Sequence, residues 1–138
     1  MLPKEIFLSH SSADKIFAAQ VDETLRQHGL PIWYSPINIV GSQLWQDEIG
    51  AALARCDWFI LILSPNSIES MWVKRELNYA LMEARLIGRI IPLRLAPCPE
   101  KELSWVLPQL QIIDFTASHD DGCAQLLRVW GIGYQGEP

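Results

Sequence analysis

The chain has no long hydrophobic run, no paired cysteines, no basic cluster and no glycine-rich turn, and each absence removes a class of protein. No apolar stretch reaches the ~20 residues that a bilayer-spanning helix requires. The segment from Met1 to Ser9 carries an acid and too short an apolar run for a secretory signal, so neither export nor a membrane partner is expected. Cys56, Cys98 and Cys123 are odd in number and far apart. That spacing fits neither a zinc site nor a redox pair, so no metal is expected, and a reducing cytoplasm is the expected location. Eleven Lys and Arg are scattered among sixteen Asp and Glu, for a net charge of -5. Without a basic footprint, nucleic acid is not an expected partner.

What is present belongs to a folded domain. Apolar residues make up 49% of the chain and charged residues 20%, with six Trp, which excludes a disordered segment. A length of 138 residues suits one domain and leaves no room for a second of ordinary size. We place the domain at residues 1–131 and read 132–138 as a tail or linker stub.

Hydrophobic patterning alternates short strands with helices. Ile6-Phe7-Leu8 is a strand that breaks at Ser9-His10-Ser11-Ser12. Ser11 with Asp14 has capping-box spacing, and Phe17, Val21 and Leu25 recur every four residues to about His28, before Gly29. Leu30 to Tyr34 is a second strand. Turn chemistry follows over 35–42, then a helix with Trp45, Ile49, Ala52 and Leu53 on one face and Asp47 and Glu48 at its positive end. Trp58 to Leu63 is apolar without alternation, the mark of a central strand buried on both faces. A single helix is expected from beyond Ser67 to about Ile87, ended by Gly88. Ile90 to Arg94 is a fourth strand despite Pro92, which would by rule favour an edge. Residues 96–108 read as an irregular connection, Leu110 to Phe115 as a fifth strand, and Asp120 to Trp130 as a last helix.

Five strands alternating with helices predict an α/β, doubly wound, five-stranded parallel sheet with helices on both faces and the flavodoxin-like order 2-1-3-4-5. A ligand is then expected at the switch point between strands one and three, walled by the loops 9–12 and 64–67 and the helix after the second loop.

The residues at that crevice decide among chemistries. A dinucleotide-binding dehydrogenase needs a glycine-rich turn after strand one, and 9–12 holds no glycine. A phospho-acceptor receiver domain would require an acidic cluster after strand one and an Asp ending strand three, where this chain has Ser9 to Ser12 and Ser64. A flavin mononucleotide site could use those hydroxyls and the helix-start amides, but also lacks its glycine. Trp72, Glu76, Tyr79 and Glu83 fall at i, i+4, i+7 and i+11, a stripe beside the aliphatic one. An aromatic plate and a carboxylate therefore face one crevice, whereas Lys74 and Arg75 are expected to project elsewhere. His10 in the first turn is expected to fix local hydrogen bonds rather than act as a base, and the cysteines to be small buried hydrophobes.

Several segments together resemble a Toll/interleukin-1 receptor (TIR) domain of the bacterial, NAD-cleaving type. They are Ile6-Phe7-Leu8-Ser9-His10-Ser11, Gly41-Ser42, Leu63-Ser64-Pro65, Trp72-Val73-Lys74-Arg75-Glu76-Leu77 and Ile91-Pro92-Leu93, so the resemblance runs through nearly the whole chain. It implies an NAD+ glycohydrolase acting in bacterial immune signalling and releasing nicotinamide with ADP-ribose or a cyclic isomer. NAD is then the substrate and no separate cofactor is implied. By the same resemblance Glu76 is the catalytic carboxylate, four residues after Trp72. Phe7, at the end of strand one, and Ser9 and Ser11, whose hydroxyls and helix-start amides suit ribose or diphosphate groups, are expected substrate contacts, and Trp72 and Ser42 are implied ones. The loop 34–42, with Trp45 after it where many relatives carry a charge, is implied to be mobile and to touch a neighbouring protomer. Activity is implied to rise on self-association, under the control of a fused or recruited sensor domain. A non-catalytic TIR–TIR interaction module is the alternative, and a nucleoside deoxyribosyltransferase, which also uses a carboxylate at a ribosyl carbon, is a third reading.

The chemistry suits a single carboxylate. Cleaving the nicotinamide–ribose bond develops oxocarbenium charge on the sugar, as in glycoside hydrolysis. Nicotinamide leaves neutral from a pyridinium and needs no general acid.

Overall fold

Side-chain alternation along the first strand divides the molecule into two apolar layers. The computed structural model describes residues 2–34 and 43–136. In β1 (Ile6–Ser9), Ile6 and Leu8 point into one layer and Phe7 into the other. The central strand β3 (Trp58–Leu63) does the same, with Ile60 and Ile62 on the first side and Phe59, Leu61 and Leu63 on the second. With β2 (Ile32–Tyr34), β4 (Ile90–Arg94) and β5 (Ile113–Asp114) these form a five-stranded sheet of order β2-β1-β3-β4-β5, parallel in every pairing. The doubly wound order expected from the strand–helix alternation is the one observed.

The first layer is closed by α1 (Lys15–Gln27) and α6 (His119–Arg128), which bury Phe17, Val21, Leu25, Leu126 and Leu127. The second is closed by α2 (Gln43–Arg55) and α4 (Met71–Met82). Ser11 accepts from the Ala13 amide at 3.2 Å and opens a 3-10 turn over Ser12–Asp14 that leads into α1. The capping box expected of Ser11 and Asp14 does not form, because the Asp14 carboxylate turns to another loop. Past α1, Gly29 adopts φ 79°, a left-handed geometry that favours glycine. Asp47 and Glu48 lie beyond the first turn of α2, since that helix begins at Gln43, and so do not sit at its positive end.

The single helix expected up to Ile87 is broken into pieces. Ser64 and Ser67 form a reciprocal capping box around the short α3 (Pro65–Ile68). Ser70 then accepts from the Val73 amide at 3.2 Å and starts α4 anew. Glu83 is extended, with ψ 116°, and a 3-10 turn over Ala84–Leu86 completes the segment. A continuous aliphatic stripe hid two caps, because Ile68, Val73 and Leu77 pack on the same layer whichever helix carries them.

Pro92 lies inside the sheet, not at its edge. Leu95 donates to Leu63 across the β3 side, so alternate amides of β4 face β3 and position 92 faces β5. The β5 ladder begins only opposite Leu93, so no partner waits for the amide that proline lacks. The last strand is accordingly shorter than the expected Leu110 to Phe115. A helical turn α5 (Glu100–Leu103) and a 3-10 turn over Leu107–Gln109 carry the chain to the sheet edge late. Ser118 caps α6 through the Asp121 amide. A Cβ on Gly122 would meet the Phe115 ring at 2.5 Å, so helix and strand approach here only because there is no side chain. Beyond Gly131, Ile132 and Tyr134 pack against the first layer, Tyr134 donates to Asp120 at 2.9 Å, and the Gln135 amide donates to His28 Nε2 at 2.9 Å.

Candidate active site

The alternation that sends Phe7 into the second layer sends Ser9 there two residues later, at the C-terminal end of the sheet, where α4 crosses. The Ser9 hydroxyl donates to Oε1 of Glu76 at 2.7 Å. Glu76 is only 5% exposed and shares its helix face with Val73, Leu77 and Ala80, so it joins the buried stripe instead of bordering it. Burial pushes its carboxyl up from 4.5 to about 7, and the Ser9 bond, which favours the ionised form, works against that rise. Among the described residues no cation pairs with Glu76. Oε2 has no hydrogen-bond partner among them, and it is not sealed in, since the sealed side-chain atoms without partners there are His10 Nε2 and Trp130 Nε1. A carboxylate held by one oxygen and uncommitted at the other, and half ionised near neutrality, can oppose positive charge or take a proton.

Trp72 lies one turn before Glu76 and is 41% exposed. The Arg75 guanidinium sits over its indole, 5.5 Å from the ring centroid. Arg75 therefore does not project away from the stripe: the i, i+3 step brings it back to the tryptophan. The other residues expected at the site are differently placed. Phe7 has no exposed surface and stacks between Trp33 and Phe59, with centroids at 5.1 and 5.5 Å, as part of the second layer. It supports the strand that carries Ser9 and presents no exposed surface of its own. Ser11 is buried and its hydroxyl is engaged with the Ala13 amide. Ser42 lies outside the described residues, as does the loop 35–42.

His10 does bond locally, through Nδ1 to the Ser11 carbonyl at 2.8 Å, and its ring stands against Tyr34, which packs on the first layer. Glu83 ion-pairs with Arg85 at 2.9 Å at the end of α4. Cys56 and Cys123 are buried and Cys98 half-buried, and burial pushes the Cys56 thiol up to about 11. No group of three or more His, Cys, Asp or Glu suited to a metal occurs among the described residues. No helix among them is long and apolar enough to cross a membrane.

One cluster had no counterpart in the sequence reading. Asp14 is buried and accepts from the Ser64 hydroxyl and, at 2.9 Å, from the Asn66 amide. It thereby ties the loop after β1 to the loop after β3, the two walls of the switch-point crevice. The available signal was topological: loops that follow adjacent parallel strands meet, so an acid in one and hydroxyl or amide groups in the other are natural partners.

Comparison with known proteins places this arrangement. The TIR domain family matches residues 6–127. Among curated proteins the chain is 29% identical over 75 residues to a 2' cyclic ADP-D-ribose synthase, BtTIR, of Bacteroides thetaiotaomicron, covering 54% of this chain and 26% of that protein. It is 34% identical over 76 residues to a second, AbTIR, of Acinetobacter baumannii, covering 54% and 28%. It is 28% identical over 75 residues to the NAD(+) hydrolase TcpA of a Theionarchaea archaeon, covering 54% and 23%. The matched stretch thus spans about a quarter of each curated relative. Among solved structures, the TIR domain of the Toll-related receptor TRR-2 from Hydra magnipapillata superposes with a TM-score of 0.73 at 15% identity, covering 90% of this chain and 95% of that one. The TIR domains of the activated Roq1 resistosome superpose at 0.70 and 13% identity, covering 91% and 98%. Those two likenesses concern the fold, which agrees with the family match over most of the sequence: this chain belongs to the TIR domain family.

Proposed function

We propose that this TIR domain cleaves the nicotinamide N-glycosidic bond of NAD, with Glu76 as the essential carboxylate. The observation that carries the reading is the geometry of Glu76, buried at the C-terminal end of the sheet, held at Oε1 by Ser9 and without a hydrogen-bond partner at Oε2 among the described residues. The named activities of the curated relatives, NAD hydrolysis and 2' cyclic ADP-D-ribose synthesis, support the substrate class.

The step balances with one carboxylate. The bond between ribose C1′ and the pyridinium nitrogen breaks, its electron pair goes to that nitrogen, and neutral nicotinamide leaves. Positive charge develops on C1′ and the ring oxygen, where ionised Glu76 opposes it. Water then adds at C1′ and gives up a proton to Glu76 or to solvent, yielding ADP-ribose. If a hydroxyl of the same nucleotide adds instead, the product is cyclic. Trp72 offers an exposed aromatic face beside the carboxylate, and Arg75 places a cation there for a diphosphate, which matters for an anionic substrate on a chain of net charge -5. Ser42 and the loop 35–42 would complete the pocket, and self-association would bring a neighbouring protomer to it.

A charge pair at ~4 Å in an effective dielectric of ~20 is worth about 4 kcal/mol, or about three decades of rate. Nicotinamide release from NAD at high protein concentration, including crowded samples, should therefore fall by about 1000-fold in Glu76→Gln. Equal rates in the two proteins, with self-association intact, would replace the enzyme reading by that of an interaction module.

A further inference from the structure

Ser9 is 1% exposed, so its hydroxyl is walled in between β1 and α4 and has no surface to offer a substrate. Its oxygen lies 2.7 Å from Oε1 of Glu76, and it is the one hydrogen-bond partner of that carboxylate among the described residues. We propose that Ser9 is a positioning residue for the reaction: its hydroxyl fixes Oε1 of Glu76 between sheet and helix and so turns Oε2 toward the crevice as the oxygen that meets the ribose. This rests on the NAD-cleaving reading above and deepens it.

The bond also decides where a proton can sit. Oε1 accepts from Ser9, so protonation of Glu76 takes place at Oε2, and the acid form blanks the oxygen that must carry negative charge. Burial and the Ser9 hydrogen bond are the influences acting on the Glu76 carboxyl, and no charged group on β1, β3 or α4 adds to them. Removing the hydroxyl therefore leaves burial unopposed. The ionised form becomes scarcer at neutral pH, and the carboxylate is free to rotate about its last torsion.

Ser9→Ala tests this with readouts that a purely structural serine would not move. A charge-assisted hydrogen bond lost from a buried carboxylate should shift the acid limb of kcat/KM upward by about one pH unit. We expect kcat at pH 7 to fall about 10- to 100-fold, with KM within about twofold. Ser9→Cys, which keeps a weak donor, should fall between the two. Titration of the Glu76 carboxyl carbon by NMR, in wild type and Ser9→Ala, reads the same shift without any turnover. A Ser9→Ala protein that stays folded in urea titrations but shows an unmoved acid limb and an unmoved carbon titration would overturn the proposal, even if its rate is lower. Should Glu76→Gln retain full turnover, the NAD-cleaving reading fails on its own, while the carbon titration still decides whether Ser9 holds Glu76.

Discussion

Asp14 and Glu76 are both buried carboxylates at the same end of the sheet, but their surroundings differ. Asp14 accepts at both oxygens, from Ser64 and Asn66, and joins two loops. Among the described residues Glu76 accepts at one oxygen only, from Ser9 on the neighbouring strand. A carboxylate whose oxygens are all committed is structural, because any new partner must first displace an old one. One held at a single oxygen is constrained in direction but still available. On the proposed function the two acids divide the labour of the crevice: Asp14 joins its walls, and Glu76 would do the chemistry between them.

The largest effect that would break this contrast is at Glu76 itself. Burial pushes its carboxyl up from 4.5 to about 7, so the folded state holds the extra proton between those limits. The contribution of Glu76 to stability must then fall as pH rises from about 4.5 through about 7, and level off above. The penalty at pH 8 is on the order of 3 kcal/mol. Glu76→Gln should thus lose about three decades of NAD turnover while becoming more stable at pH 8 by roughly 2–3 kcal/mol, a gain that shrinks toward pH 5. Urea unfolding at the two pH values checks the sign. A variant less stable at pH 8 would mean that Glu76 is a structural acid like Asp14.

Asp14→Ala should behave in the opposite way. Leaving the buried Ser64 hydroxyl without its acceptor should cost about 1–3 kcal/mol. A stability loss below ~1 kcal/mol in urea unfolding would remove Asp14 from its role as the clamp. Gly122→Ala, on the far layer, forces a methyl against the base of the Phe115 ring and should cost about 1–3 kcal/mol without altering the kcat of the folded fraction. The smallest effect is expected at Trp72→Ala, where loss of the exposed aromatic face should raise KM for NAD up to about tenfold and leave kcat nearly unchanged. A kcat effect larger than the KM effect would place Trp72 in the chemical step instead.

How much of this was legible in the sequence depended on the range of the interaction. The buried strand Trp58 to Leu63 and the fourth strand Ile90 to Arg94 were readable because a run of apolar residues between turn signals is a local property. The order of the strands followed from handedness and crossover rules that act on any such alternation. Pro92 looked like an edge signal because the sequence does not state which neighbour each amide faces. The break at Ser70 was hidden by an aliphatic stripe that both helices share.

At the proposed site, helical spacing and family resemblance together point to Trp72 and Glu76. The bond from Ser9 to Glu76 spans 67 residues, and the one from Ser64 to Asp14 spans 50, so neither leaves a local pattern. For Asp14 a local pattern was even misleading, since capping-box spacing with Ser11 competed with a long-range partner that won. Phe7 was placed near the site for its position in the strand, but alternation sends it into the apolar layer, two residues before the residue that reaches Glu76.

The most direct measurement is the rate of nicotinamide release from NAD by wild type and by Glu76→Gln between pH 5 and 9. A wild-type rate that rises to a plateau with an apparent pKa near 7, over a Gln variant about 1000-fold slower and flat with pH, is the expected result. Equal rates, or an acid limb near the ordinary carboxylate range, would contradict the assignment of Glu76 as a buried, half-held catalytic carboxylate.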